Sequence, residues 1–154
     1  MNALAATRTG QDLTTTTLWS TQQPCAMCAA AAEFTGVGTV RYMAPDPSAI
    51  ATNQRATVTV RARLIGPADH LWIVVANVLF LLSIASSRGV DHPTVARNRE
   101  LEPETVAIVV ELIEGERAAP TLTEGLSQWA MLSDLWPSIV AASQRRASRL
   151  RPVT

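Results

Sequence analysis

Apolar residues follow two different periods along this chain, and the change falls near residue 65. In the first part the short period dominates. Residues 57–65 alternate Val58, Val60, Ala62 and Leu64 with Thr57, Thr59, Arg61 and Arg63, which predicts a strand with one polar face. Residues 13–21 are β-branched, with Thr14 to Thr17 ahead of Leu18 and Trp19, and residues 38–43 carry Thr39, Val40, Arg41 and Tyr42. Both stretches read as strands. Between them Pro24, the alanine run 29–32 and Gly36 predict a helix over 24–34, because proline is best tolerated at a first helical position and alanine favours continuation. Residues 1–8 have the alanine and leucine content of a helix with no capping residue before it. A strand, a helix and a strand within about 30 residues predict a βαβ unit, and hence a parallel pair.

Beyond residue 65 the pattern is helical. The sequence Gly66-Pro67-Ala68-Asp69 introduces a helix that runs to about Ser87 and stops at Gly89. Its apolar stretch, residues 71–85, is interrupted by Asn77 and Ser83. It falls short of the roughly 18 to 20 residues that cross a bilayer, so a buried helix and no membrane span are expected. Asp91 and Pro93 begin a short helix, and Glu102-Pro103-Glu104 begins another, with Val106, Val109, Val110 and Ile113 on one face. Thr121 and Glu124 fit a capping box for a helix through Leu135, and Pro137 starts or kinks a last one. Residues 44–56, with Pro45 and Pro47, read as a loop and flexible insertion. Trp72 and Phe80 read as core or subunit interface.

Composition adds bounds rather than a partner. The 154 residues are 47% hydrophobic and 17% charged with formal net charge zero, as in an ordinary globular protein and unlike one that strongly seeks nucleic acid. All 13 basic residues are arginines. Arg145, Arg146, Arg149 and Arg151 lie together near the end without an acidic residue among them. They read as a solvated face that complements a helix dipole, with contact to phosphate or RNA as the other reading. Nucleic acid is therefore allowed as a partner but not indicated.

The candidate chemistry lies in Pro24-Cys25-Ala26-Met27-Cys28, which holds both cysteines of the chain. Two cysteines three positions apart make no disulfide framework, and without a signal peptide the pair reads as metal or redox chemistry in a reducing compartment, the cytoplasm. In the first turn of a helix, residues i and i+3 share a face with Cβ atoms about 5 to 6 Å apart, so both sulfurs can reach one ion. The unpaired N–H groups there favour thiolate, the form that binds zinc. A third ligand of the histidine type would leave the fourth position open for water. Two other readings remain open: a thioredoxin-like redox pair, and half of a structural zinc site completed by another subunit. His70 and His92 read as helix-terminal or surface residues, and Glu33, about 140° round the helix from Cys28, points away.

Leu18-Trp19-Ser20-Thr21 followed by Gln22-Gln23-Pro24-Cys25-Ala26-Met27-Cys28-Ala29 resembles the second zinc motif of the cytidine deaminase-like superfamily, in its nucleoside, guanine and tRNA-adenosine deaminase branch. The resemblance covers residues 1 to about 65. It implies an α/β fold with a three-layer α-β-α sheet, here without its N-terminal strands, and a helical C-terminal extension over residues 66–154. It also implies a Zn2+ cofactor with Cys25 and Cys28 as metal ligands, a nucleoside or nucleobase-type substrate, and hydrolytic removal of an amino group from the base. A homodimer fits the same picture. The family takes its third ligand and its proton-shuttling glutamate from an earlier His-x-Glu, and Met1-Asn2-Ala3-Leu4 resembles the residues that directly follow such a motif. The expectation is a chain that begins just past that dyad, with no catalytic residue carried over and impaired activity, since general acid–base steps are worth roughly 10² to 10⁴-fold. Two absent strands would leave an unpaired edge prone to association. The alternative is a noncatalytic zinc-binding or protein-interaction module.

Overall fold

The computed structural model describes residues 2–7, 10–46, 62–115 and 128–151. The chain is mixed α/β and divides into two compact units, Met1–Ala68 and Asp69–Thr154. The expected capping box at Thr121 and Glu124, residues 57–61 of the expected strand and most of the expected insertion lie outside the described residues.

The first unit contains α1 (Asn2–Ala5), β1 (Thr17–Gln22), α2 (Ala26–Phe34), β2 (Thr39–Ala44) and β3 (Arg63–Ile65). The strands form one parallel sheet in the order β1-β2-β3, with Leu18 opposite Val40 and Val40 opposite Leu64. Helix α2 is thus the crossover of a βαβ unit, as the alternation of periods predicts. One face of the sheet packs Leu18 and Val40 with Ala31 and Ala32 of α2, together with Leu4, Leu13, Val37 and Ala62. On the other face Thr17, Trp19 and Thr21 are exposed. There the Arg41 guanidinium lies 5.4 Å from the Trp19 ring centroid, a cation–π contact between paired residues.

One boundary of the sheet differs from the sequence reading. The first strand starts at Thr17 instead of residue 13, because Asp12 Oδ1 accepts from Thr14 N at 2.9 Å and from Thr14 Oγ1 at 2.7 Å, while Thr16 Oγ1 donates to Leu13 O at 2.7 Å. These short-range bonds offer the backbone a turn in place of a ladder. The chain leaves α2 through Gly36 at φ 76°, where a side chain would be strained. It then passes so close to the earlier turn that a Cβ at Gly38 would fall 1.8 Å from Thr14 O.

The second unit is helical: α3 (His70–Arg88), α4 (Pro93–Leu101), α5 (Pro103–Glu114) and α6 (Gln128–Arg149). Asp69 caps α3 by accepting from Trp72 N at 3.2 Å, and Gly89 closes it at φ 84°. The core joins Val78 and Leu81 of α3, Val95 of α4, Val109 of α5 and Ile139 of α6, all fully buried. Trp72 and Phe80 lie outside that core. They are 43% and 36% exposed, and Trp72 meets Trp136 edge-on with ring centroids 6.4 Å apart. Among the described residues α3 is the one helix long and apolar enough to cross a bilayer, and half of that stretch is buried. Pro137 neither starts nor ends a helix: α6 runs through it.

Candidate metal centre

The cysteine pair sits where β1 hands over to α2. Gln23 N donates to Ala44 O at 2.8 Å, so the chain is still tied to β2 one residue before Pro24. Pro24 cannot continue that pairing because it has no N–H. Cys25 follows with φ −65° and ψ 168°, an extended residue in the N-cap position, and its carbonyl accepts the first helical bond from Ala29 N at 2.9 Å. The helix therefore begins at Ala26, two residues later than proline placement predicts. The cysteines occupy N-cap and N3, the positions whose side chain and N–H meet in a capped helix.

This placement makes the two sulfurs unequal. No capping hydrogen bond forms from the Cys25 side chain. Even so, the Cys28 N–H faces its sulfur and holds the Cys25 thiol below its ordinary range, with the Cys28 thiol and the Met27 N–H adding to the effect against the opposing pull of burial and of the Asp46 carboxylate. Burial pushes the Cys28 thiol up, and its bond to Cys25 pushes the same way. Cys25 is the readier thiolate and Cys28 the proton donor to it. Cys25 is exposed and Cys28 partly so, and both are free thiols. Two adjacent, accessible soft donors at a helix start fit two of the four positions of a tetrahedral zinc ion.

The remaining donors are not gathered there. Among the described residues no group of three or more His, Cys, Asp or Glu side chains is placed to hold a metal ion. His70 is the first residue of α3, and its Nδ1 lies 2.6 Å from Arg146 Nη1. His92 caps α4, its Nδ1 accepting from Thr94 N at 3.3 Å. Both are helix-terminal, as the sequence indicates. Glu33 falls in the last turn of α2, at the opposite end from the cysteines.

The C-terminal arginines need correcting. Arg146 is 6% exposed and is no part of a solvated face. Its Nε and Nη2 donate to Glu102 Oε2 and Oε1, both at 2.6 Å. Arg149 donates Nε to Glu104 Oε1 at 2.7 Å, Nη2 to Glu104 Oε2 at 2.9 Å, and Nη2 again to Leu101 O at 3.2 Å. These fork-to-fork pairs are charge-assisted and geometrically demanding. They join the C-terminal turns of α6 to the residues flanking Pro103, so neither arginine is spare for phosphate. A signal for them stands in the sequence: two acids flank Pro103, and two arginines three residues apart share a helical face.

No family model matches this chain, and no curated protein and no solved structure matches it either.

Proposed function

We propose that this chain is a zinc-binding protein of the nucleoside or nucleobase deaminase type, a hydrolase class that removes an amino group from a base. The observation that carries the reading is the mounting of Cys25 and Cys28 at N-cap and N3 of the crossover helix between two parallel strands. The resemblance of residues 18–29 to the second zinc motif of that superfamily agrees in order: strand, Pro-Cys-x-x-Cys, alanine-rich helix. In such a site the zinc, when bound, supplies Lewis acidity toward a water molecule. The chain's own part is to present two thiolates, hold them on one helix face and place a helix N-terminus behind their charge. A three-layer α-β-α arrangement, a base as substrate and a reducing compartment such as the cytoplasm belong to the same proposal.

A second reading, a noncatalytic zinc-binding or interaction module, is favoured by one observation. Among the described residues no third metal donor joins the cysteines, and both histidines bond within the helical unit. Metal analysis and ammonia release together test the two. Stoichiometric zinc that is lost in Cys25→Ser supports the zinc assignment, and its absence removes that assignment and leaves a metal-free interaction module. Ammonia release from a panel of nucleosides and free bases, abolished by the same substitution, supports the hydrolase. Bound zinc with no ammonia from any substrate leaves the noncatalytic module.

A further inference from the structure

The chain holds two cysteines and two histidines, and the residues outside the described ones contain neither type. Both histidines lie in the Asp69–Thr154 unit, each with Nδ1 engaged by a donor of that unit. The cysteine pair is therefore the only set of adjacent soft donors. Two thiolates cancel the charge of Zn2+ but fill only two tetrahedral positions.

We propose that a second copy of this chain fills the other two, so that Cys25 and Cys28 of each copy form a tetrathiolate zinc centre bridging a two-fold dimer. The bridge rests on zinc at the cysteine pair in the noncatalytic reading proposed above, because four thiolates leave no open position for water. Three observations carry it. First, the donors are presented outward: Cys25 is exposed, Cys28 partly so, and Ala26 and Met27 between them are exposed, Met27 to 65%. Neither residue between the cysteines is charged or β-branched, the charge acting on Cys25 being that of Asp46, and an unbranched methionine adapts readily to an apposed surface. Second, a zinc ion with four thiolates carries a net charge of about −2, and in a two-fold arrangement the N-terminal ends of both α2 helices, each with partial positive charge, face it. Third, the chain has formal net charge zero, so two copies approach without long-range repulsion. A two-fold axis brings the same patch of each copy together, which is how one pair of ligands becomes four. Forming the four Zn–S bonds releases the four thiol protons to solvent.

The test uses the full chain, reduced and metal-free, titrated with Zn2+ and followed by sedimentation velocity and native mass spectrometry. The expected result is a two-fold rise in mass with an endpoint of one zinc per two chains, reversed by a chelator. Co2+ in place of Zn2+ should give the absorption of a tetrahedral tetrathiolate. Cys25→Ser and Cys28→Ser, at accessible positions, should keep their helical circular dichroism and stay monomeric with zinc. One zinc per chain in a monomer would overturn the bridge while leaving zinc binding at the pair intact. A dimer that forms equally without metal would also overturn the bridge. No zinc uptake at all would overturn both the bridge and the zinc site.

Discussion

Arg146 and His70 meet through Nη1 and Nδ1 at 2.6 Å, while the same guanidinium holds both oxygens of Glu102. A guanidinium has donors only, so His70 Nδ1 must be the acceptor and the ring proton must sit on Nε2. The expected outcome is the Nε2–H tautomer of His70, read from its ¹⁵N shifts. A ring protonated on Nδ1 would contradict the arrangement.

The Arg146–Glu102 pair is buried, with side-chain exposures of 7% and 8%. Breaking such a pair from one side leaves a charge without a partner and costs about 3 to 5 kcal/mol, whereas replacing both members by apolar residues often costs little. Glu102→Gln should therefore lower the urea midpoint strongly, and the double substitution Glu102→Met with Arg146→Met should lower it less than either single change. A double variant as unstable as the sum of the singles would contradict this.

Glu104 predicts a pH dependence. The Arg149 guanidinium bonded to it holds its carboxyl below the ordinary value of 4.5, against the opposing effect of burial. A carboxyl with a depressed folded value contributes stability that is complete above its unfolded value and is lost as pH falls through the folded one. Unfolding free energy measured from pH 6 downward should decline on the acid side of 4.5, and Glu104→Gln should flatten part of that decline. An unchanged slope in the variant would remove Glu104 as a source.

Much of the first unit is legible in the sequence because its signals are local. Pro24, the alanine run and Gly36 bound α2, and the β-branched stretches on either side become β1 and β2. The errors arise where a side chain competes with the backbone. Asp12 and Thr16 turn the chain before Thr17, and Cys25 takes the N-cap position that proline placement assigns to the helix interior. The ion pairs of α6 are hidden for a different reason. They link residues 44 and 45 positions apart, and composition alone reads a run of arginines as solvated.

The inequality of the cysteines gives a chemical prediction. With Cys25 held toward thiolate by the Cys28 N–H and Cys28 held toward thiol by burial, iodoacetamide should modify Cys25 first in the metal-free chain near pH 7.5, because thiolate is the nucleophile. Peptide mapping of a partial reaction checks the order. Equal labelling, or Cys28 first, would contradict it.

Gly38 gives a prediction about packing. A methyl group there would overlap Thr14 O, so Gly38→Ala must displace either the 13–16 turn or the start of β2. A loss of about 1 to 3 kcal/mol, typical of overpacking, should appear in chemical denaturation. An unchanged midpoint would show that the turn yields freely.

Glu102 is both the C-cap of α4 and the N-cap of α5. A single residue is thus the knuckle between two helices, and Arg146 of α6 grips that knuckle by its side chain. Local opening at this point cannot free one helix by itself. Amide protons in α4, the first turn of α5 and the last turns of α6 should exchange with solvent as a single cooperative group.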